Sequence, residues 1–573
     1  VRYKLIGEND FFVNPVQTIL KNRGIEDMES FLNLDASVTD HWSKLKNIKG
    51  AAECLIEHVK RKSQVFIQVD PDCDGYCSSA ILINYLKKVF PDVNITWRLQ
   101  EGKEHGVFVD KVPEDTDLVI IPDAGSNQYD EHKALKEKGI DVLVLDHHET
   151  DKESEYAIVV NNQLSPEYGS KAMTGAGIIL EFCRALDDKL GVKYAEDYSD
   201  LAAIGIIGDM ADMQELGTRY NALQGIKEAK NPLYKALLEK QNHSMGGEVN
   251  IINLTFYIVP LINAVVRSGT QEEKEQMMRA FLESDEEIFY KYRDIERYEP
   301  IAINTARMMG NIKARQGRAV KKGVEILEER IEQRNLLNNK ILIVNVAGII
   351  DKDFTGLVAN QVSNKYKRPT LLIRPDAKGE CKGSARGYDK GHIKDFKEFL
   401  NETELFNFCE GHSNALGVGI DSDKLIEANN LFNELLKDVE VDLNTYEVDF
   451  VVPCKQLTSE LVLEIHKHRD VWSRNVEEPL LAIKDIKVKA KDISFFKGKK
   501  AGKTGTLKFK ANGVDVVKFY CRDEEYEEHF KGKDFNIDVI GKCDLNEYKG
   551  KKFAQIKIED YEITEIKEEE LIF

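Results

Sequence analysis

VFIQVDPDCDGYCSSAILINYLKKV, residues 65–89, is the stretch on which the reading of the fold turns. VFIQV (65–69) is a short, continuous apolar run that breaks off into charged and turn-forming residues. That pattern predicts a strand buried on both faces of a parallel sheet. Downstream of it, Gly75 reads as a tight turn and Ser78 or Ser79 as a helix cap. The helix would then turn Ile81, Tyr85, Leu86 and Val89 toward the core. LVII (118–121) and VLVL (142–145) repeat the strand pattern. Alternation of such runs with helical periodicity over the first ~300 residues predicts an α/β fold whose crossover helices cover a parallel sheet.

Further along, the pattern changes twice. Residues 297–338, rich in Ala, Met, Arg, Lys and Glu, predict a long linking helix. A second, smaller α/β unit over 339–440 opens with ILIVNV (341–346) and continues through LLI (371–373). From 441 to 573 a helix near 457–468 is followed by five short strands: LLAIKDIKVKA, GTLKFK, VVKFY, FNIDVIG and FAQIKI. Five short strands with Gly-rich turns suit an OB-like β-barrel. The expected domains are therefore 1–296, 297–338, 339–440 and 441–573.

A chain of 573 residues exceeds what one hydrophobic core supports. No apolar run approaches the roughly 18 residues of a membrane span, and the stretch VRYKLIGENDFF lacks the long apolar segment of a secretory signal, so neither is expected. Nine cysteines without a Cys-x-x-Cys pair argue against a zinc finger or a disulfide framework, so a reducing, cytoplasmic setting is expected. The net charge of −19 counts against a nucleic-acid partner only if basic residues fail to cluster. They do cluster in KGKKAGKTGTLKFK (497–510). Phe509, Phe519, Tyr520 and Tyr548 are the aromatic candidates for base stacking nearby.

Acidic and histidine residues gather where apolar runs end: Asp70, Asp72 and Asp74; Asp123; Asp146, His147 and His148; Asp209 and Asp212. Each has an ordinary explanation alone, as a turn residue, a helix terminator or a surface histidine. Ligands of open α/β sheets, however, bind at the carboxyl ends of strands, where the first three loops would converge. Converging carboxylates repel unless a cation lies among them. Oxygen and imidazole donors suit Mn²⁺ or Mg²⁺. A pair of such ions about 3.5–4 Å apart supports hydrolysis of a phosphodiester.

DPDCDG, PDAG, LDHHE and GDMADM resemble, in order, the first four motifs of the DHH phosphoesterases. ILKNRGIEDMESFLN (19–33), WRLQEGKEHG (97–106), PLINAVVR (260–267), GSAR (383–386) and GHSNALG (411–417) resemble segments of the RecJ exonuclease branch and its DHH-associated domain. The resemblance implies a metal-dependent 5′-to-3′ exonuclease on single-stranded DNA, of the repair and recombination type, acting as a monomer. It leaves replication or repair proteins open as partners and implies no membrane. By resemblance, one ion takes Asp74, Asp123, His147 and Asp212, the other Asp72 and the bridging Asp123. Asp146 orients the histidines or joins the metal shell, Asp70 and Asp209 being further ligand candidates, and His148 faces the scissile phosphate. Arg98, Asn263, Arg267, Ser384, Arg386 and His412 are the implied substrate-binding residues.

Two positions depart from the family pattern. Gln68 stands where many members carry a histidine, which predicts weaker metal binding or completion of the shell by Asp70. Glu410 replaces the first glycine of Gly-Gly-His, and either points away from the phosphate site or lowers its affinity. Two other readings compete with the nuclease: a DHH phosphodiesterase of short oligonucleotides or cyclic dinucleotides, and a catalytically silent DHH scaffold of replication. The ~130 residues after 441 weigh against the first, the near-complete ligand set against the second.

Overall fold

Five strands, all parallel, build the first sheet: β1 (Gln64–Val69), β2 (Asn94–Leu99), β3 (Leu118–Pro122), β4 (Asp141–Asp146) and β5 (Ile158–Asn161), in the order β2-β1-β3-β4-β5. The three apolar runs are β1, β3 and β4. Their alternate residues enter two separate cores: Ile67, Ile120 and Leu143 on one side of the sheet, Phe66, Val119 and Val144 on the other. This two-sided burial is why the runs are continuous rather than alternating. The computed structural model describes residues 2–100, 102, 104–440, 444–497, 504–548 and 550–564.

The helix after β1 starts earlier than its serines suggest. α1 (Cys73–Val89) is capped by Asp72, whose Oδ1 accepts from Gly75 N at 2.8 Å. Ser78 and Ser79 are buried inside the helix, and Gly75 lies in its first turn. There a Cβ would come within 2.6 Å of the Asp70 carbonyl oxygen, so close approach and not a turn requires the glycine. Every residue from Cys73 to Leu86 is buried, so α1 has no solvent face along its first four turns. α2 (Gly175–Leu190), α3 (Ser199–Gly208), α4 (Leu216–Gly225) and α5 (Val259–Ser268) share its core. Residues 251–268 form one helical run long and apolar enough to span a membrane, against the expectation of none; 56% of it is buried in this core.

The chain divides into two compact units, and their boundaries differ from the sequence-derived domains. The first unit is Asp27–Arg315 with Asp470–Glu477; the second is Val1–Glu26, Gln316–Arg469 and Glu478–Phe573. Residues 1–26 group with the second unit. Strand Arg2–Leu5 pairs in parallel with Thr445–Val448, and half-buried Arg23 forms a bidentate pair with Asp449. Those tertiary pairings are invisible to local sequence pattern. The linking helix is α6 (Ile301–Gln333), and the unit boundary falls within it.

In the second unit β6 (Leu342–Asn345), β7 (Thr370–Pro375), β8 (Glu380–Arg386), β9 (Phe406–His412) and β10 (Ala415–Asp421) form a mixed sheet ordered β9-β10-β8-β7-β6. α7 (Thr355–Tyr366) packs on β7 and β8. The C-terminal sheet has seven strands rather than five, in the order β11-β12-β16-β17-β15-β14-β13. They are β11 (Phe450–Pro453), β12 (Leu480–Val488), β13 (Ser494–Lys497), β14 (Thr504–Ala511), β15 (Val514–Arg522), β16 (Phe535–Tyr548) and β17 (Lys551–Thr564). The two additional strands are four-residue edge strands, too short for a periodic signal.

Candidate metal centre

β1, β3 and β4 deliver their loops to one edge of the first sheet, and α3 brings a fourth. Three groups of side chains there have donor atoms within 4.8 Å of one another: Asp70, Asp72 and Asp123; Asp74, His147 and Asp209; and Asp123, Asp146, His147 and His148. Asp123 belongs to two groups and His147 also to two, so the three merge into one centre.

Asp123 sits at the middle. Its backbone is left-handed, φ +62°, fixed by donation of its N–H to Leu145 O at 2.9 Å. Such a conformation is costly for a residue with a Cβ and marks a position held by its surroundings. Its Oδ1 is buried without a hydrogen bond, 3.2 Å from His147 Nε2. Burial, with Asp74, Asp72, Asp70 and Asp209 around it, pushes this carboxyl well above the usual carboxylate range. Asp74 is also fully buried, and α2 supports it from 100 residues away. Thr174 Oγ1, Gly175 N and Ala176 N donate to it at 3.1, 2.7 and 3.0 Å. Two glycines make room: a Cβ on Gly175 would stand 2.3 Å from Asp123 Oδ1, and one on Gly205 2.3 Å from Asp74 Oδ1.

Asp146 plays another part. Its Oδ1 accepts from His147 N, His148 N and His148 Nδ1 at 2.7, 3.2 and 2.7 Å, and its Oδ2 from Ser126 N at 3.0 Å. Burial opposes its charge, but the bond and charge of His148 hold its carboxyl well below the usual range. The same bond raises His148 to about 9, against desolvation, and leaves an imidazolium whose side chain is half exposed. Burial instead lowers His147, keeping it neutral and suited to ligate. Of its four donors one is a ring nitrogen, so Asp146 fixes the His148 imidazole, while its bond to His147 is to the backbone.

Asp209 rather than Asp212 has a donor atom within these groups. α3 ends at Gly208, and Met210 at φ +61° turns the chain immediately after Asp209. That leaves Asp209 Oδ2 3.8 Å from His147 Nε2, with burial and Asp74 raising its carboxyl to about 8. Asp212 Oδ1 accepts from Gln214 N at 2.9 Å, and none of the donor groups among the described residues contains it. Asp70, buried, accepts from Gly106 N at 3.1 Å and lies 2.6 Å from His105 Nδ1. His105 lies in the quoted loop 97–106 but carries no local signal, because its partner is 35 residues away. Gln68 is buried, its Nε2 donating to Arg98 O at 3.0 Å while its Oε1 has no hydrogen-bond partner. Glu101 and Lys103 fall outside the described residues.

The donor set fits hard divalent cations. Five carboxylates and a neutral imidazole, several driven toward protonation by burial and by one another, are stabilised as anions only by positive charge among them. Arg267, on α5, reaches solvent yet is crowded by neighbouring protein; the desolvation lowers it, and the charge of Asp72 offsets part of that. Asn263 is half-buried on the same helix. Arg98, Trp97 and Leu99 line a cavity of about 650 Å³ with Gln271 and Glu275.

Ser384 and Arg386, in the second unit, converge on the N-terminus of α7. A Cβ on Gly356 would lie 2.5 Å from Arg386 Nη2 and 3.7 Å from Ser384 Oγ. Helix N–H groups beside a guanidinium and a hydroxyl suit a phosphate. Arg374 braces this corner by donating to Thr355 Oγ1 at 2.7 Å. Sheet register sets Arg386 and His412 either side of Ala415, and Ser384 and Glu410 either side of Gly417. Glu410 therefore occupies Ser384's row, exposed, rather than the opposite face. In the barrel, Phe509 is core at 1% exposure, whereas Phe519 and Tyr520 are exposed, Tyr520 at φ +56°. Residues 498–503 of the basic stretch and the Tyr548 side chain lie outside the described residues.

Comparison with known proteins agrees with this geometry at both ends of the chain. Residues 62–206 match the DHH family N-terminal domain, and residues 448–560 match the RecJ OB domain. A Bacillus subtilis protein named as an SPbeta prophage-derived single-strand DNA-specific exonuclease, YorK, is 49% identical over 581 residues, with 100% of each chain covered. The chain belongs to the RecJ family. B. subtilis RecJ, a single-stranded-DNA-specific exonuclease, is 25% identical over 569 residues, covering 96% of this chain and 68% of its own. The RecJ of Thermus thermophilus in complex with Mn²⁺ superposes with a TM-score of 0.70 at 20% identity, over 96% of this chain and 76% of that one. The RecJ fold, with its parallel DHH sheet and C-terminal OB domain, is thus the fold of this chain.

Proposed function

We propose that this chain is a metal-dependent exonuclease that hydrolyses the phosphodiester bonds of single-stranded DNA from the 5′ end. The observation that carries the reading is the convergence of Asp70, Asp72, Asp74, Asp123, Asp209 and His147 on one sheet edge. These residues would hold two Mn²⁺ or Mg²⁺ ions, with Asp123 common to both. When bound, such ions activate water and offset charge building on the phosphate. The protein's own share is positional. Asp146 fixes the His148 ring through Nδ1 at 2.7 Å, and the other ring nitrogen of His148 would face the scissile phosphate. Gly175, Gly205 and the α2 N-terminus fix the carboxylates before any ligand arrives, so little reorganisation accompanies binding.

Arg98 and Arg267 in one unit, and Ser384, Arg386 and the α7 N-terminus in the other, would bind backbone phosphates. A terminal phosphate held by the latter group would set the 5′ polarity. Asn263 in the first unit and His412 in the second are each assigned to substrate binding. The exposed rings of Phe519 and Tyr520 support single-strand binding by the OB domain. That domain also separates this reading from a phosphodiesterase of short oligonucleotides. The test is release of mononucleotides from single strands labelled at one end, with Mn²⁺ and with EDTA. Mn²⁺-dependent shortening from the 5′ end is expected; shortening from the 3′ end contradicts the polarity.

A further inference from the structure

The loop that carries Asp209 is closed by a strap from far along the sequence. Residues Asp470–Glu477 fold with the first unit, although the chain up to Arg469 and from Glu478 folds with the second. Val471, Trp472, Ser473 and Val476 of this strap are buried. Ser473 N donates to Val476 O at 2.8 Å and Val476 N returns to Ser473 O at 3.2 Å, which pinches the strap into a tight turn. Arg474 and Asn475 form its exposed tip, Asn475 in the left-handed region at φ +60°.

Arg219 of α4 anchors the strap from below. Its side chain is 1% exposed, and it donates to Val471 O at 2.8 Å, Asp470 O at 3.4 Å and Ser473 Oγ at 3.1 Å. Its guanidinium lies 4.3 Å from the Phe31 ring centroid. Strap oxygens meet its two terminal nitrogens and the Phe31 face lies against its charge, while Nε is buried without a hydrogen-bond partner.

The tip then reaches the metal loop. Met213 N donates to Arg474 O at 3.3 Å, and Gln214 Nε2 to Asn475 O at 2.9 Å. At the other end of the loop Asp209 N is still bonded to Gly205 O, 2.9 Å, as the last turn of α3. The segment between, with its left-handed Met210, is thus pinned at one end by a helix and at the other by the strap.

We propose that the strap 470–477 is a positioning element for metal binding, acting through Gln214 and the backbone of Met213 on the placement of Asp209. The metal centre of the DHH unit is then complete only when a segment from beyond the DHH-associated region is seated on it. The proposal rests on the reading of Asp209 as a ligand. Asn475 and Gln214 are positioning residues and touch neither metal nor substrate.

The test is calorimetric titration of Mn²⁺ into the full chain without DNA, with thermal unfolding measured in parallel. Asn475→Val places a β-branched residue where the left-handed turn is needed, and Asn475→Gly preserves that turn. Asn475→Val and Gln214→Ala are expected to weaken Mn²⁺ binding about tenfold, the low end of what loss of groups supporting ligands costs. Asn475→Gly is expected to bind as wild type, with unchanged unfolding temperature. Wild-type Mn²⁺ affinity in both Asn475→Val and Gln214→Ala overturns the proposal, as does equal weakening in Asn475→Gly. Should Asn475→Val fail to fold, Gln214→Ala decides alone. Asp209→Asn is titrated alongside: if it too binds Mn²⁺ as wild type, the ligand reading falls, and if it alone is weakened, only the strap proposal does.

Discussion

Gly175→Ala probes the metal centre without replacing any proposed ligand. The added methyl would stand 2.3 Å from Asp123 Oδ1, 2.5 Å from its Cβ and 2.6 Å from its Cγ. Ordinary contact needs roughly 1 Å more. Neither partner yields easily. Gly175 N is tied to Asp74 Oδ2 at 2.7 Å, and the Asp123 backbone is held left-handed by its 2.9 Å bond to Leu145 O. Relief must come from the Asp123 side chain or from the start of α2, which also supports Asp74. Overpacking of this kind costs about 1–3 kcal/mol, against about 0.5–1 kcal/mol recovered by replacing a helical glycine with alanine. Net destabilisation is therefore about 0–2.5 kcal/mol, and the protein still folds. Metal binding responds more sharply, because the displaced carboxylate is the one proposed to be common to both ions. A roughly 10- to 100-fold rise in the Mn²⁺ concentration for half-maximal nuclease activity is expected. Direct titration of Mn²⁺ and circular dichroism on the same sample separate loss of the site from loss of fold. A folded Gly175→Ala protein with wild-type Mn²⁺ affinity would refute the placement of Asp123.

The Asp209 and Asp212 assignments are separable: Asp209→Asn should lower turnover at least ~100-fold, Asp212→Asn only a few-fold, and the reverse order would restore Asp212 as the ligand. Arg386→Ala should raise the concentration of 5′-phosphorylated strand needed for half-maximal rate by about tenfold while leaving the Mn²⁺ titration unchanged; an altered metal titration would instead link Arg386 to the metal centre. His132 is fully buried with neither ring nitrogen hydrogen-bonded, and burial holds it at about 4 against 6.5 in water. Between those values the unfolded chain takes up a proton that the folded chain refuses, so stability falls as pH drops from 6.5 toward 4. His132→Leu should remove that slope, gaining about 2 kcal/mol over wild type on going from roughly pH 7.5 to 5 in urea unfolding; a pH-independent difference would exclude the titration.

The strands and the ligand-bearing loops were legible in sequence because both-face burial forces continuous apolar runs and the site lies where they stop. β3, with all five residues buried, shows why. What sequence missed is what depends on distant partners. Asp209 and Asp212 both follow an apolar helix, and only the left-handed Met210 decides which faces His147. Thr174 and the α2 N-terminus support Asp74 across 100 residues, and His105 meets Asp70 across 35. MTGAGI (173–178) held one usable signal, a hydroxyl and two glycines opening a helix, the pattern of an anion-binding N-terminus. The strap 470–477 and the N-terminal strand belong to units defined by tertiary pairing, which no local periodicity encodes.

The most direct test of the whole account is degradation of a 5′-labelled single strand by wild type and by Asp123→Ala, at matched protein concentration with saturating Mn²⁺. Wild type should release labelled mononucleotide at once, and chelation should stop it. Asp123→Ala should remain folded, still bind the strand, and release label at least ~1000-fold more slowly. Label released at more than about a tenth of the wild-type rate by Asp123→Ala, or at an undiminished rate by wild type in EDTA, would contradict a shared metal centre as the seat of catalysis.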